Sequence, residues 1–436
     1  MAEAALVVAA LLVVTAAVRG SMAAAAIAAP AAVASPDDLA DVTVLVAVRS
    51  GDPLLPDVLA SSVRTLAPAR VVLLVDDDDA AGRAAATAAA GQAMTTADHA
   101  HVEVAVCPPP APGVNPKVHK LALADVRTGT VVLLDDDTAL PAGGLARLVG
   151  ALADADLATG VPVYREQGGL WSRLLAAFVN GSALVTYLPL ARVGPPVSIN
   201  GMVVALRRDR LEAVGGFAAL ATATCDDYAL ARLFRAHGLR IVQTAQPAIV
   251  ATTVPSASAY LRIVRRWLLF AGEVVRRDLS VRLLLLVLLP TALPLVAVAL
   301  AAASGRLAVV AALVVALAAS ALVTRALRRR VTAPPPPDAT SLVHATIPAV
   351  PPARTRPALD DPTGAAAREA KAADRTHDAA ASPTSSARTV GAGWLGVLLE
   401  PVAAVLAPVQ AAAAQVGPRT VTWRGRSVRV GIGSAP

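Results

Sequence analysis

Two long apolar runs in the second half of the chain limit most strictly what it can fold into. Leu283–Ala303 carries no charged residue over 21 positions, and Leu307–Thr324 is equally uncharged and begins after only three residues. A helix rises about 1.5 Å per residue, so roughly 20 apolar residues cross the hydrocarbon core of a bilayer. We therefore predict a transmembrane hairpin over residues 282–330.

A shorter apolar run near the N-terminus predicts a further membrane segment. Ala4–Val18 is uncharged, with Glu3 before it and Arg19 after it. A secretory signal peptide carries positive charge ahead of its apolar run, whereas here the basic residue follows the run. We therefore expect residues 1–34 to form a membrane anchor.

The arginines around the hairpin predict its orientation. Basic residues stand on both outer sides of the hairpin, whereas the turn between its two runs holds only Arg306. The flanking arginines are Arg276, Arg277, Arg282, Arg325, Arg328, Arg329 and Arg330. Positive charge accumulates on the cytoplasmic side of a membrane, so the large segment before the hairpin is expected in the cytoplasm. The chain is thus predicted to be a multi-pass protein of the cell membrane.

The overall charge excludes one class of partner. The formal net charge is +7, but only 3% of the residues are aromatic. Nucleic-acid-binding proteins interleave aromatic side chains with basic ones, so we expect the basic residues to face a membrane surface and no nucleic acid. The two cysteines, Cys107 and Cys225, form no pairing framework, which is typical of a reducing compartment.

Residues 35–256 alternate short apolar runs with helix-length segments. The runs that predict buried strands are Val42–Val48, Val71–Val75, Val102–Val106 and Val131–Leu134, with Leu239–Thr244 as a further candidate. Strands that alternate with helices favour an α/β fold with a mostly parallel sheet and helices on both faces, here with transmembrane helices added. Ligands of such sheets bind beyond the carboxyl ends of the strands.

The other segments differ in composition. Trp171–Leu190 predicts an amphipathic helix at the membrane interface, and residues 257–281 predict a basic interfacial helix. Residues 331–390 are rich in Pro and Ala and predict a disordered linker. Residues 391–436 predict an interfacial or re-entrant apolar segment followed by a basic tail.

Two of the predicted strands run directly into carboxylates, as VVLLVDDDD at 71–79 and VVLLDDDT at 131–138. Adjacent carboxylates repel one another, so another group must compensate for them. Asp135 and Asp137 form a D-x-D pair, whose hard oxygens suit Mg²⁺ or Mn²⁺ with substrate phosphates in the other positions. A solvated acidic loop is the alternative interpretation.

Further charged residues sharpen this interpretation. The chain has 36 arginines but only three lysines, and two of these are Lys117 and Lys120. Where arginine is so strongly preferred, a pair of lysines indicates phosphate binding by compact ammonium groups. Pro116 before them is also typical of an ordinary helix start, and the two interpretations are compatible. Asp226 and Asp227 stand at the start of an apparent helix. The helix dipole stabilises a carboxylate there, which accounts for the presence of one acidic residue better than for two.

A last motif is RRW at residues 265–267. Its guanidinium groups and indole could close over a diphosphate and a sugar. Basic side chains that reach toward lipid headgroups are an equally good explanation.

The order of the motifs along this chain resembles that of the family-2 glycosyltransferases. The motifs are VVLLVDDDD, GVNPKVHK, LLDDDT, INGM, CDDY and RRW, and a membrane hairpin follows them. More narrowly, the chain resembles their ceramide glucosyltransferase-like and hopanoid-associated membrane branch. The resemblance covers roughly residues 42–324. It implies a GT-A (Rossmann-like) catalytic domain over residues 35–256, a nucleotide-sugar donor, a divalent cation and inversion at the anomeric carbon.

The resemblance also implies roles for individual residues. The expected catalytic residues are Asp227 as general base, Arg266 and Trp267. The nucleotide-sugar donor is expected to bind Asp77, Asp79, Lys117, Asp135 and Asp136. The acceptor side is expected at Asn200, Gly201 and Asp226, and the metal at Asp135 and Asp137. Two departures from the family pattern are Ile263, where (Q/R)xxRW has Gln or Arg, and Asp226, where Glu is usual.

We therefore expect an inverting, metal-dependent glycosyltransferase that uses UDP-glucose or UDP-N-acetylglucosamine and a lipid acceptor at the cytoplasmic membrane face. One alternative is a processive polysaccharide synthase, although a polymer channel needs more membrane helices than the hairpin supplies. The other is a catalytically inactive, nucleotide-sugar-binding membrane scaffold, which has no need of these clustered charges.

Overall fold

The computed structural model describes residues 1–93, 101–333, 394–423 and 426–429. An eight-stranded sheet has the order β3-β2-β1-β4-β7-β6-β8-β5, and β9 and β10 form a separate antiparallel pair. The strands are β1 (Val42–Val48), β2 (Arg70–Asp76), β3 (His101–Cys107), β4 (Thr130–Leu134), β5 (Thr138–Ala139), β6 (Leu157–Tyr164), β7 (Val203–Arg207), β8 (Ile241–Val250), β9 (Thr420–Trp423) and β10 (Arg426–Arg429). In the large sheet, β7 and β5 pair antiparallel with their neighbours, and the other pairings are parallel.

Helices surround the sheet and extend beyond it. They are α1 (Ala2–Ala28), α2 (Pro36–Ala40), α3 (Leu55–Thr65), α4 (Ala80–Ala93), α5 (Pro116–Leu123), α6 (Gly144–Gly150), α7 (Leu170–Asn180), α8 (Leu184–Arg192), α9 (Arg208–Ala213), α10 (Asp226–Ala236), α11 (Ala257–Asp278), α12 (Val281–Leu283), α13 (Leu289–Ser304), α14 (Leu307–Thr332) and α15 (Trp394–Val416). Short 3₁₀ turns occupy Ala151–Asp154 and Phe217–Leu220, and a π turn occupies Leu284–Leu288.

The central strand β1 shows why the sheet is covered on both faces. All seven of its residues are buried, and alternate side chains enter two different apolar clusters. Val44 packs with Leu59 of α3 in one cluster, whereas Leu45 packs with Phe234 of α10 in the other. A continuous apolar run is what a strand buried on both faces requires. The predicted fold class, a mostly parallel α/β sheet with helices on both faces plus membrane-type helices, is confirmed.

Five helical stretches in the described part of the chain are long and apolar enough to cross a membrane. They are Ala2–Ala28, Leu170–Arg192, Val281–Ser304, Leu307–Thr332 and Leu398–Val416. The hairpin predicted at 282–330 is therefore present as two long helices, and Gly305, at φ +60°, ends the first of them. Only glycine adopts this left-handed conformation without strain, so it can reverse the chain there.

The amphipathic segment Trp171–Leu190 lies within the helical stretch Leu170–Arg192. The chain forms α7 and α8, and the break follows Asn180, whose amide bonds both the N–H and the carbonyl of Tyr164 over 2.9 Å. This pair of bonds joins the end of α7 to the end of β6. The position of Trp171–Leu190 at the membrane interface stays a prediction.

The C-terminal helix α15 packs against α7, α11, α13 and α14. Glu400 of α15 lies in a buried ion cluster with Glu166, Arg325 and Arg328. Arg328 reaches Glu400 over 3.0 Å and Glu166 over 2.8 Å, so it joins α14 to both partners. The predicted disordered linker at 331–390 lies outside the described residues from position 334 onward.

Candidate active site

The carboxyl ends of β1 and β2 carry the first group of charged residues. Asp76 ends β2 and forms ion pairs with Arg49 at 3.0 Å and with Lys120 at 3.1 Å. The Lys120 ammonium is fully buried and also donates to the carbonyl of Val48. Lys120 therefore ties the ends of the two strands together, which is a structural position and not that of an open phosphate ligand.

The acids after Asp76 divide into two kinds. Asp77 and Asp78 are exposed, whereas Asp79 is buried and accepts the backbone N–H groups of Ser50 and Gly82. Burial raises the pKa of Asp79, but these hydrogen bonds outweigh it and hold the pKa below its usual value. Asp79 thus anchors the β1 loop to the start of α4. Its expected role in nucleotide binding, like that of Asp77, stays a prediction.

Lys117 lies between two of the predicted site carboxylates. Its ammonium is 2.6 Å from Asp135 Oδ1 and 3.3 Å from Asp226 Oδ2, with only 14% of the side chain exposed. Helix α5 begins directly before it, because Asn115 caps the backbone N–H groups of Lys117 and Val118. Burial lowers the pKa of Lys117, but Asp135 and Asp226 outweigh burial and raise it above its ordinary value. Lys117 is therefore a fixed positive charge between the β4 end and the α10 start.

The D-x-D segment is held by its backbone and by Asp136. The Asp135 N–H donates to the carbonyl of Met202 over 3.0 Å, and Asp136 accepts the N–H of Arg49 over 2.7 Å. Asp137 is different, because burial raises its pKa to about 8, with the charges of Asp135 and Asp136 adding to the shift. Burial and the charges of Asp135 and Asp136 thus disfavour the ionised form of Asp137.

This donor set fits a divalent cation. Asp135 and Asp137 supply hard carboxylate oxygens, and the raised pKa of Asp137 indicates a site where a cation would relieve repulsion. No group of three or more His, Cys, Asp or Glu side chains arranged for a metal occurs among the described residues. Two carboxylates suit an ion such as Mg²⁺ or Mn²⁺, whose other ligands are water and phosphate oxygens.

Asp227 lies at the start of α10, within electrostatic reach of Lys117. Its Oδ1 accepts the Cys225 thiol at 2.8 Å and the Tyr228 N–H at 2.6 Å. Burial raises the pKa of Asp227, and the neighbouring charge of Asp226 raises it further. A carboxylate with a raised pKa is suited to accept a proton near neutral pH.

Gly201 leaves the space that the Asp227 side chain occupies. A Cβ on Gly201 would stand 3.0 Å from the Asp227 Cβ and 3.1 Å from Oδ2. Gly201, Lys117, Asp226 and Asp227 line one small pocket, whose other walls are apolar. The sequence-predicted acceptor-side and donor-side residues therefore meet at this pocket.

Asn200, in contrast, does not point into the pocket. It is buried, its backbone N–H and carbonyl pair with the Thr159 hydroxyl, and its side-chain oxygen accepts the N–H of Met202 over 3.2 Å. Asn200 therefore shapes the turn that carries Gly201. Its predicted contact with an acceptor stays a prediction.

The RRW segment of α11 meets the sheet at Tyr164, the last residue of β6. The Trp267 ring packs on the Tyr164 ring at 6.2 Å in an edge-on geometry and on the Phe178 ring at 6.5 Å. Burial raises the pKa of the Tyr164 hydroxyl, the charges of Asp137 and Asp135 raise it further, and that of Arg266 lowers it. Tyr164 therefore lies within electrostatic reach of both the D-x-D segment and Arg266.

Three residues that contribute to the site carried no recognised signal in the sequence. Tyr164 ends a strand that the apolar pattern did not reveal, and Arg49 binds acids from three different positions along the chain. The Cys225 thiol was visible in CDDY, but its contact with Asp227 depends on the turn at the start of α10. Only the three-dimensional arrangement identifies these contacts.

Comparison with known proteins gives one match over most of the chain. The family described as Glycosyl transferase family 21 matches residues 4–347, whereas no curated protein matches significantly. Among solved structures, the chain is similar to the mannosyltransferase PcManGT from Pyrobaculum calidifontis in complex with GDP-Man and Mn²⁺. The identity is 21% and the TM-score 0.45, over 76% of this chain and 95% of that one.

A second similar structure is the glucosyl-3-phosphoglycerate synthase from Mycobacterium tuberculosis in complex with Mn²⁺, uridine diphosphate and phosphoglyceric acid. Its identity to this chain is 17% and the TM-score is 0.33, over 54% of this chain and 82% of that one. Both structures are distant in sequence.

Proposed function

The chain belongs to glycosyl transferase family 21, and from this membership we propose that it moves a hexosyl group from a nucleotide-sugar donor to a lipid acceptor with inversion. UDP-glucose and UDP-N-acetylglucosamine are the proposed donors. The ceramide glucosyltransferase-like expectation agrees with this family. The hopanoid-associated branch stays a prediction, and a panel of acceptors tests it.

One observation carries the proposal. Lys117 contacts both Asp135 and Asp226, and Asp227 follows directly on α10. The D-x-D segment and the proposed base therefore stand near the same ammonium group. In an inverting transfer, the leaving diphosphate and the attacking hydroxyl approach the anomeric carbon from opposite sides. The arrangement supports a donor at Lys117 and Asp135 and an acceptor hydroxyl at Asp227.

The proposed step uses Asp227 as general base. Its carboxylate takes the proton of the acceptor hydroxyl while the hydroxyl oxygen attacks the anomeric carbon and the bond from that carbon to the diphosphate oxygen breaks. The electron pair of the broken bond leaves on the diphosphate, beside the Lys117 ammonium. Base catalysis of this kind contributes about 10²–10⁴-fold in rate.

Asp135 and Asp137 would hold a divalent cation, Mg²⁺ or Mn²⁺, which supplies neutralisation of the developing diphosphate charge when it is bound. The raised pKa of Asp137 supports this role, because the isolated carboxylate carries its charge unfavourably. Arg266 and Trp267 are proposed to cover the sugar from α11. The packing of Trp267 on Tyr164 and the effect of the Arg266 charge on the pKa of Tyr164 support that position.

The acceptor is proposed to be a lipid because membrane-type helices pack directly against the catalytic sheet. Helix α1 packs along α13, α14 and α8, and α8 in turn packs on β6 and β8. An arginine on α1, Arg19, donates to the Val185 carbonyl and the Thr186 hydroxyl of α8. The arginine distribution supports a cytoplasmic catalytic side, since Arg306 alone stands in the hairpin turn.

The test is release of the nucleotide by the purified full chain in lipid nanodiscs. UDP-glucose, UDP-N-acetylglucosamine, UDP-galactose and GDP-mannose are offered with ceramide-type and hopanoid-type acceptors, with Mg²⁺, Mn²⁺ or a chelator. We expect cation-dependent release with one donor. Asp227→Asn is expected to lower it by about 10²–10⁴-fold, and Asp137→Ala is expected to remove its dependence on the cation.

A matched control is Asp125→Asn, since Asp125 is an exposed carboxylate paired only with surface arginines. It should release the nucleotide at the wild-type rate. Release that is unchanged in Asp227→Asn would contradict the proposed active site. Cation-dependent UDP binding without release from any donor and acceptor would instead support the nucleotide-sugar-binding scaffold.

A further inference from the structure

Cys225 is the residue directly before α10, and its side chain contacts the proposed base. Its sulfur lies 2.8 Å from Asp227 Oδ1, and the Tyr228 N–H donates to the same oxygen. Burial raises the pKa of the Cys225 thiol well above its ordinary value, and the Asp227 charge raises it further. The sulfur therefore keeps its proton and acts as a hydrogen-bond donor, not as a thiolate.

The two oxygens of Asp227 have different surroundings. Oδ1 has two donors, whereas Oδ2 lies against Gly201, 3.1 Å from where a Cβ on that residue would stand. The Cys225 and Tyr228 hydrogen bonds both go to Oδ1. Gly201 and Asp227 both line one small pocket. Oδ1 is thus fixed by two donors, whereas Oδ2 lies on the side of Gly201.

We propose that Cys225 is a positioning residue for Asp227: its thiol holds Oδ1 so that Oδ2 is the oxygen that takes the acceptor proton. This inference rests on the proposed function, because it assigns a part to Cys225 in that reaction. The thiol itself does not touch the reacting atoms. Its contribution is to limit the rotation of the carboxylate, and a misplaced catalytic group costs rate steeply.

The charges around Asp227 predict how the hydrogen bond changes the pH profile. Asp226 on the same helix raises its pKa, whereas Lys117 of α5 lowers it, and the hydroxyl of Tyr187 on α8 also interacts with it electrostatically. The Cys225 and Tyr228 hydrogen bonds favour the charged carboxylate and lower its pKa. Loss of the thiol therefore raises the pKa of Asp227. A base is active when deprotonated, so the acidic limb of the rate profile moves to higher pH.

The experiment compares Cys225→Ala, which removes the donor, with Cys225→Ser, which keeps one. We expect Cys225→Ala to lower kcat about tenfold and to move the acidic limb upward by about half a pH unit to one unit. The donor KM should not change, since Cys225 contacts the base and not the nucleotide side. Cys225→Ser should retain kcat within about twofold, because a hydroxyl replaces the weaker thiol donor.

The chain offers a matched control in its other cysteine. Cys107 is also buried, but its sulfur lies near the Ala105 carbonyl at the end of β3. Cys107→Ala should leave kcat and the pH profile unchanged. It also leaves a single thiol in the protein, so the infrared S–H stretching band then reports on Cys225 alone. We expect Asp227→Asn to shift that band, because an amide replaces the carboxylate acceptor.

Three results would overturn the inference. Cys225→Ala could show the wild-type kcat and acidic limb, Cys225→Ser could lose as much activity as Cys225→Ala, or the S–H band could stay in place in Asp227→Asn. These outcomes differ from failure of the proposed function. If Asp227→Asn itself keeps full activity, the proposed base is wrong; if it is inactive while Cys225→Ala is like the wild type, only the role of Cys225 is wrong.

Discussion

Two clusters of charged residues in this protein differ in their charge balance. The strand-end cluster consists of Lys117, Asp135, Asp137, Asp226 and Asp227, so it has four carboxyl groups and one ammonium group, which contacts Asp135 and Asp226. The buried ion cluster consists of Glu166, Glu400, Arg325 and Arg328, so two carboxylates face two guanidinium groups. The second cluster neutralises itself. The first has more carboxyl groups than cationic groups, and the pKa values of Asp137 and Asp227 in it are raised, which points to a role beyond holding the fold.

The positions of the clusters agree with this difference. The buried ion cluster joins the segment after β6 to α14 and α15, and the Thr324 hydroxyl satisfies the second oxygen of Glu400 over 2.8 Å. The strand-end cluster lies where β4 ends and where α5 and α10 begin. Loops and element ends carry binding and catalytic groups on a rigid scaffold, whereas buried, fully paired groups fix how elements pack.

The first way to test this comparison is Glu400→Gln. Loss of this charge leaves Arg325 and Arg328 with Glu166 alone, and breaking a buried ion pair by removing one partner costs about 3–5 kcal/mol. We expect the free energy of unfolding in nanodiscs to fall by about that amount. Chemical denaturation monitored by tryptophan fluorescence measures it.

The control for Glu400→Gln separates burial from charge. Asp125→Asn removes a carboxylate from an exposed pair with Arg127, and it should leave the unfolding transition unchanged. A Glu400→Gln and Arg328→Gln double variant should recover part of the lost stability, because it restores charge balance. Wild-type stability in Glu400→Gln alone would mean that the cluster does not hold these helices together.

The second test is a substitution in the strand-end cluster that should stabilise the protein, whereas Glu400→Gln should destabilise it. Without divalent cations, Asp137→Asn should raise the free energy of unfolding at pH 7 by about 1–3 kcal/mol. The reason is that burial raises the pKa of Asp137 to about 8, well above its value in an unfolded chain. The folded state therefore gives up its proton less readily than the unfolded state does.

The pH dependence gives the matching prediction for the wild type. A carboxyl with a raised folded-state pKa contributes stability that is complete below pH 4 and is lost as the pH rises toward 8. We expect this loss in cation-free wild type and not in Asp137→Asn. Mn²⁺ should restore stability at pH 8 in the wild type only. Equal pH profiles for the two proteins would contradict an unbalanced charge at Asp137.

The same contrast explains which parts of the fold the sequence revealed. The runs at β1, β2 and β4 are continuous and apolar because parallel strands are buried on both faces, so their positions were predicted. Strand β6 escaped notice because Gly160 and Pro162 interrupt its pattern, although every residue in it is buried. Strand β7 is short and antiparallel, and no local signal marks its direction.

For the candidate site, the sequence revealed residue types but not their orientation. Asp135, Lys117 and Asp226 were singled out separately, and the structure brings them into contact. Asp79 and Asn200 were also singled out, but their side chains turn inward to backbone groups. A carboxylate that caps a helix and one that binds a ligand have the same sequence signature, since both follow a strand or precede a helix.

The third test has the smallest expected effect. It is a substitution that should lower kcat and leave the free energy of unfolding nearly unchanged. In Gly201→Ala, the new methyl group would stand 3.0 Å from the Asp227 Cβ, closer than ordinary contact, and Cys225 and Tyr228 hold that carboxylate in place. We expect the base to shift by a few tenths of an ångström and kcat to fall about tenfold, which corresponds to about 1.4 kcal/mol in the barrier. The free energy of unfolding should change little.

Gly91→Ala is the matched control for this substitution, because a methyl group there meets open space on α4. It should keep the wild-type kcat and add about 0.5–1 kcal/mol of stability, as alanine does within a helix. A Gly201→Ala enzyme with normal kcat would mean that Asp227 tolerates displacement and is not the base. Lower stability together with lower kcat would instead place Gly201 among the packing residues, and the distinction between a functional and a structural cluster would then fail at this turn.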